Sequence, residues 1–234
     1  MLSGQIPLWR PQARHSRFEN FICRDESANS NVLDSLRGYI ISATTTPFYL
    51  HGAPGSGKTH LLTAAINLSR DLGNKDTAYF DCANQSTPAE LLMGLSKSAC
   101  LCVDNVDQWA GDKAKEQALF SVVEQAKNSN QCLIISSKTL PTDSQFDLAD
   151  LVSRLSSGVV FEIKSLDDQG KLQALSQFIE TRNLQVEQKV LEYLITHFSR
   201  DNHSLFQAID QLDKASMIEK RRLTIPFVQK VLSN

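Results

Sequence analysis

The chain has 234 residues, with 24 basic and 26 acidic side chains and a formal net charge of -2. That length suits one large α/β domain or a core with a smaller appendage, and the balanced charge excludes a global positive field able to hold nucleic acid by neutralising phosphates. No apolar run reaches the ~18 residues of a membrane span, and the N-terminus lacks the charged-then-apolar layout of a signal peptide, so no membrane partner is expected and the compartment is read as cytoplasmic.

Residues 1–17 carry polar and basic clusters, two prolines and one apolar cluster, and read as a flexible N-terminal tail. Within it, Gln5-Ile6-Pro7-Leu8-Trp9 offers an aromatic anchor for a partner's pocket, or Trp9 packs back on its own domain. Strands are expected at Pro47 to His51, Thr77 to Asp81, Ala99 to Asp104, Gln131 to Ser136 and Gly158 to Ile163. Their near-continuous apolar character is that of strands buried on both faces. Helices alternate with them at Asn31 to Ser42, His60 to Arg70 and Lys113 to Lys127, which argues for a parallel sheet covered on both sides. After Ile163 no further convincing strand follows, and helices are expected near 167–182, 187–199, 203–218 and 225–232. Pro226 suits the first turn of the last helix, after Thr224 as a cap. The sequence thus divides into the tail, an α/β core over 18–164 and a small all-helical unit over 165–234.

The strand ending at His51 runs into Gly52-Ala53-Pro54-Gly55-Ser56-Gly57-Lys58-Thr59, the phosphate-cradling G-x-x-x-x-G-K-[ST] pattern. Its glycines let successive N–H groups face a phosphate, the helix beginning near His60 aims its positive end at the same place, Lys58 adds a point charge and Thr59 a hydroxyl for Mg²⁺. Cys100-Leu101-Cys102-Val103-Asp104 ends a buried strand in a carboxylate. Ligands of parallel sheets bind outside the carboxyl ends of the strands, so Asp104 is expected to converge with the P-loop as the second Mg²⁺ ligand. Hydrolysis also needs a group that takes a proton from water, and the residue after Asp104 is Asn105, whose amide cannot. Asp107 either substitutes for it or is a solvated carboxylate. Ser137, closing the next strand, is the expected γ-phosphate sensor. Arg154 lies in Asp150-Leu151-Val152-Ser153-Arg154-Leu155, where Leu151 and Leu155 share a face and leave Arg154 outward; it is either a surface charge or a trans-acting arginine finger. The five cysteines, Cys23, Cys82, Cys100, Cys102 and Cys132, read as reduced core residues, and the C-x-C of Cys100 and Cys102 lacks the second pair or nearby His of a metal site.

These residues resemble the AAA+ module of the replication initiator DnaA and, more closely, the Hda group of short DnaA-related regulators. Phe18-Glu19-Asn20-Phe21 is similar to the segment ahead of the family's first helix, by the adenine. Asp150 to Leu155 is similar to its arginine-finger box, and Asp210-Gln211-Leu212-Asp213-Lys214-Ala215-Ser216 with Leu223-Thr224-Ile225-Pro226-Phe227-Val228 is similar to the Hda group in particular. The sequence ends after the helical lid, so the initiator's helix-turn-helix DNA-binding domain is not expected. Gln5, Ile6, Leu8 and Trp9 resemble the clamp-binding Q-L-x-L-F motif.

The resemblance implies an AAA+ P-loop core with a five-stranded parallel sheet followed by a helical lid. Its cofactors would be ADP (or ATP) and Mg²⁺, with nucleotide contacts from Phe21, Gly52, Ala53, Pro54, Gly55, Ser56, Gly57, Lys58, Thr59, His60 and Ser137. His203 stands where the family's lid Arg touches phosphate, and a neutral His carries little charge near pH 7. The implied function is negative regulation of replication initiation. The chain, docked on the DNA-loaded sliding clamp of DNA polymerase III (its β subunit), presents Arg154 to ATP-bound DnaA and promotes its hydrolysis, while its own turnover is weak. DNA is reached through the clamp, giving nucleoid association, and homo-oligomers are an open alternative. Two other readings remain: a self-contained ATPase of the helicase-loader type, and a non-catalytic adaptor between clamp and initiator. Lys220-Arg221-Arg222, the single basic cluster, sits near a helix C-terminus, where it complements the dipole rather than DNA.

Overall fold

The computed structural model describes residues 16–23, 28–42, 44–84, 87–129, 131–181, 184, 186–197, 202–219 and 221–232. They fall into two compact units, the first built mainly from residues up to 164 and the second from residue 165 onward.

The first unit alternates α1 (Ala28–Ser42), β1 (Phe48–His51), α2 (Lys58–Asp71), β2 (Thr77–Asp81), α3 (Ala89–Gly94), β3 (Cys100–Asp104), α4 (Lys113–Asn128), β4 (Cys132–Ser137), α5 (Ala149–Ser156) and β5 (Val159–Glu162). The five strands form one sheet in the order β2-β3-β4-β1-β5, with every pair parallel. From β1 the chain runs outward to β2, returns through β3 and β4, and then crosses to the far side of β1 for β5. The strand order therefore reverses at β1, the place where crevices open in such sheets.

Side chains alternate across this sheet with a period of two. Tyr49, Leu101, Val103, Leu133 and Ile135 join a core with Leu92 of α3, Leu119, Val122 and Val123 of α4, and Leu151 and Leu155 of α5. The opposite parity, Phe48, Leu50, Cys100, Cys102, Cys132 and Ile134, is buried as well. There the Cys102 thiol donates to the Leu62 carbonyl of α2 (3.3 Å), the Tyr39 hydroxyl of α1 to the Leu133 carbonyl (3.1 Å), and the Tyr39 and Phe48 rings lie 5.1 Å apart. Double burial holds for β3 and β4 but fails at the edges. In β2 only alternate residues, Ala78 and Phe80, are buried, and β5 has no buried position. An edge strand is covered on fewer sides, so its apolar residues do not all leave water.

Two helices of this unit were not expected from the sequence as defined elements. The six-residue α3 is too short to show helical periodicity, and α5 was read only as an amphipathic stretch. Helix α4 is started by Asp112, whose carboxylate accepts the Ala114 and Lys115 N–H groups at 3.1 and 3.2 Å. Those donors, that of Lys115 first, hold the carboxyl below its ordinary value.

The second unit contains α6 (Asp168–Thr181), α7 (Gln188–His197), α8 (Asn202–Glu219) and α9 (Ile225–Leu232). Leu205, Ile209 and Leu212 recur at i, i+4 and i+7 along α8 and meet Leu175, Ile179, Val190, Leu191, Leu194, Phe227 and Val228 in a core of the unit's own. The Phe178 and Phe206 rings meet edge to face at 4.9 Å. Among the described residues, Val186 and Leu223 form a parallel bridge here. No described helix is long and apolar enough to cross a membrane.

Candidate functional site

The loop between β1 and α2 turns on residues without side chains. Gly55 has a φ of 76° and Gly57 a φ of 102°, values costly for any residue bearing a Cβ. Gly57 is also the N-cap of α2 and has no side chain with which to cap it, so the first-turn N–H groups present partial positive charge to an anion. A Cβ at Gly57 would stand 2.6 Å from Phe21 Cε2, which shows how closely the Phe21 ring lies on the loop. The same ring is 5.7 Å from that of His60.

Three contacts pin the segment before Phe21 along α2. The Arg17 guanidinium pairs with Asp71 at 2.8 Å, Asn67 Nδ2 donates to the Ser16 carbonyl at 2.8 Å, and His60 Nε2 is 3.0 Å from the Arg17 carbonyl. Ser16 and Arg17, counted with the tail on composition, are thus ordered against the core. Burial pushes the His60 pKa down, with the Arg17 carbonyl opposing.

Lys58 is buried, and its ammonium donates to the Gly52 and Ala53 carbonyls at 2.6 and 2.9 Å. Burial lowers its pKa, while Asp104 and Asp107 pull the other way. The Asp104 carboxylate is fully buried at the end of β3. One of its oxygens accepts the Thr59 hydroxyl at 2.6 Å and the Tyr79 hydroxyl at 2.5 Å, and the other accepts the Ser136 hydroxyl. A buried charge is tolerated only when so compensated. The adjoining oxygens of Thr59 and Asp104, beside a loop of amide donors, are the hard donor set that Mg²⁺ with a phosphate takes. The residues therefore fit the group that the P-loop pattern implies.

The residues that follow are committed to other partners. Asn105 sits in the left-handed region (φ 58°, ψ 43°), donates its backbone N–H to Ser136 Oγ at 3.1 Å and sends its side-chain amide to Asp81 Oδ1 at 2.9 Å. Asp107 accepts the Lys138 N–H at 3.2 Å, lies 3.3 Å from the Lys138 ammonium and accepts from Gln108 at 3.0 Å; its side chain is partly exposed, and its charge also bears on Lys58. Ser137 is fully buried and accepts the Thr139 N–H at 3.3 Å. Its neighbour Ser136, not Ser137, touches the Asp104 carboxylate. Tyr79 and Ser136 are the residues that sequence reasoning missed. Val103 pairs with Ile135, so the next residues in register are Asp104 and Ser136, a relation invisible until the strands are aligned.

Arg154 belongs to α5, with Leu151 and Leu155 fully buried as the spacing predicts. Its Nε lies 2.7 Å from Glu124 Oε1 of α4, and its side chain is 41% exposed. Among the described residues its charge partner is thus Glu124 rather than a P-loop group. Another α4 carboxylate, that of the buried Glu116, accepts N–H groups from Gly111 (2.8 Å), Asp147 (3.1 Å) and Leu148 (2.8 Å). Gln5, Ile6, Leu8 and Trp9 lie outside the described residues. His203 falls within α8, with its side chain likewise outside them. The cysteines are free thiols, and among the described residues no group of three or more His, Cys, Asp or Glu is arranged to hold a metal.

Residues 13–162 match the family model of the bacterial DnaA ATPase domain, and residues 168–232 that of the Hda lid domain. An uncharacterized protein of Haemophilus influenzae is 35% identical over 235 residues, taking in 99% of this chain and 100% of that one. Domain III of the Thermotoga maritima replication initiation protein DnaA superposes with a TM-score of 0.79 at 20% identity, covering 96% of this chain and 97% of that one. AMPPCP-bound DnaA from Aquifex aeolicus does so with a TM-score of 0.69 at 22% identity, covering 90% and 67%. The chain belongs to the DnaA-related AAA+ family and joins a DnaA-type ATPase module to an Hda lid.

Proposed function

We propose that this chain is a nucleotide-binding negative regulator of replication initiation, which promotes hydrolysis of the ATP held by the initiator DnaA. The observation that carries the reading is the union of a DnaA-type ATPase module with an Hda lid in one short chain. The contact of Thr59 with Asp104 beside the P-loop supports the nucleotide part.

In this reading the backbone of Gly52 to Thr59 cradles the phosphates of ADP or ATP, Lys58 exchanges loop carbonyls for phosphate oxygens, and Phe21 and His60 border the base. Thr59 and Asp104 are the protein's Mg²⁺ ligands; the ion, when bound, neutralises phosphate charge. Asn105 offers no proton acceptor and is bonded to Asp81, so the chain's own turnover is slow and nucleotide acts mainly as a structural ligand. Arg154 is the residue given to the partner. A finger in trans stabilises charge developing on the transferred phosphoryl group and is worth about 10³ to 10⁵ in rate. Gln5, Ile6, Leu8 and Trp9 anchor the chain on the DNA-loaded sliding clamp, and so bring it to the nucleoid.

The test is single-turnover hydrolysis of DnaA-bound ATP, with this chain and clamp loaded on DNA. Arg154→Ala is expected to abolish the stimulation while clamp pull-down persists, and Gln5→Ala with Trp9→Ala to lose pull-down. Stimulation unchanged in Arg154→Ala would leave only an adaptor. Rapid ATP turnover by the chain alone would favour a self-contained ATPase of the helicase-loader type.

A further inference from the structure

Arg154 is held by one particular edge. Glu124 Oε1 approaches its Nε at 2.7 Å, and among the described residues neither terminal nitrogen, Nη1 nor Nη2, has a partner. The Oε1 atom is closed off from solvent, and no donor points straight along a hydrogen bond to it. The guanidinium charge faces it at 2.7 Å, in a pair whose side chains are 41% and 32% exposed.

Helix α4 fixes α5 at three places. Glu116 accepts the Asp147 and Leu148 N–H groups, and Leu148 is the N-cap of α5, which has no side-chain cap of its own. Leu151 and Leu155 sit fully buried in the core shared with α4. Glu124, eight residues after Glu116 and so about 80° further round the helix, then takes Arg154. These contacts tie both ends of α5 to α4.

We infer that Glu124 is a positioning residue: it grips the Nε edge of Arg154 so that the Nη pair is presented outward, oriented for two phosphate oxygens of ATP bound to a second chain. Planar, bidentate recognition of phosphate is what a guanidinium supplies and an ammonium does not. The inference rests on the finger reading of Arg154. Ordering that side chain in advance removes a cost otherwise met in the transition state. Misplacement of a reacting group by about 1 Å can lower a rate by roughly 10²-fold.

The test measures the partner's stimulated hydrolysis against concentration of Glu124→Ala, Glu124→Asp and Glu124→Gln, beside Arg154→Ala and Arg154→Lys. The expected result is a maximal stimulated rate about 10- to 100-fold lower in Glu124→Ala, with an unchanged half-saturating concentration. Glu124→Asp, a methylene shorter, should fall in the same direction and serves if the alanine variant folds poorly. Glu124→Gln, which keeps the side chain's size but removes the charge facing the guanidinium, should fall with the alanine variant, and Arg154→Lys should lose the stimulation as well. An unchanged or raised maximal rate in Glu124→Ala, with Arg154→Ala still inactive, overturns the positioning role and leaves the finger standing. Full stimulation by Arg154→Ala overturns both.

Discussion

At Asn105 three demands meet: a left-handed backbone, an N–H bonded to Ser136 and a side-chain amide bonded to Asp81 at 2.9 Å. An aspartate there would bring a second carboxylate against that of Asp81, and like charges at such a distance raise one pKa and weaken the fold. Asn105→Asp is therefore expected to lose stability at pH 7 without gaining intrinsic ATPase activity, checked by urea unfolding and phosphate release. A vigorous ATPase in that variant would show that the missing base alone limits turnover. His60 carries a pH signature. Burial sets its folded pKa below the ordinary 6.5, so as pH falls the unfolded chain takes up the proton first. Stability is full above about 6.5 and declines below it until the folded ring also protonates. Between pH 7 and 5 the parent should lose more unfolding free energy than His60→Gln, and parallel pH profiles would remove His60 as the cause. Both side chains were visible as residues near a P-loop. That Asn105 turns to β2 and His60 to the Arg17 carbonyl depends on neighbours far away in the chain.

The strands were legible because each is a short, β-branched or aromatic run, and β2 spans Thr77–Asp81 as the pattern predicts. Their order was not, since pairing between β1 and β5, more than a hundred residues apart, leaves no local trace. The two chain segments approach closely at Gly158. A Cβ there would meet the Pro47 carbonyl oxygen at 2.4 Å, where the Val159 N–H donates to that same oxygen at 2.9 Å. Neither atom can give way without separating the two strands. Gly158→Ala should accordingly cost about 1–3 kcal/mol, read from chemical denaturation, and should speed amide exchange in β5 while β3 and β4 stay protected. Unaltered exchange in β5 would mean that the edge relaxes freely. The same dependence on register separates Ser136, which touches Asp104, from its neighbour Ser137. The two hydroxyls are adjacent in sequence but lie on opposite faces of β4, and only alignment with Asp104 tells them apart.

Each unit of the molecule has its own apolar core, so damage to one need not propagate into the other. Leu194, 1% exposed on α7, lies in the core of the helical unit. Leu194→Ala should destabilise that unit by about 2–5 kcal/mol and accelerate hydrogen exchange through α7, α8 and α9, leaving the central strands protected. Uniform acceleration across both units would instead indicate a single cooperative block. The helical unit was legible as helices because Leu205, Ile209 and Leu212 keep a 3.6-residue period. Its stability comes from four helices covering one another, a tertiary property that no single periodic stretch contains.

By itself the sequence determined the α/β alternation, the P-loop and its carboxylate partner, the helical second unit and the family resemblance. All of these are carried by residues close in the chain: glycines that permit a turn, apolar runs of strand length, leucines at helical spacing. The tertiary structure decided the strand order, the three hydroxyls gathered on Asp104, the diversion of Asn105 and Asp107 to Asp81 and Lys138, and the grip of Glu124 on Arg154. Each of these joins residues far apart in the chain whose meeting depends on strand register and helix packing, and neither of those is written in any local pattern.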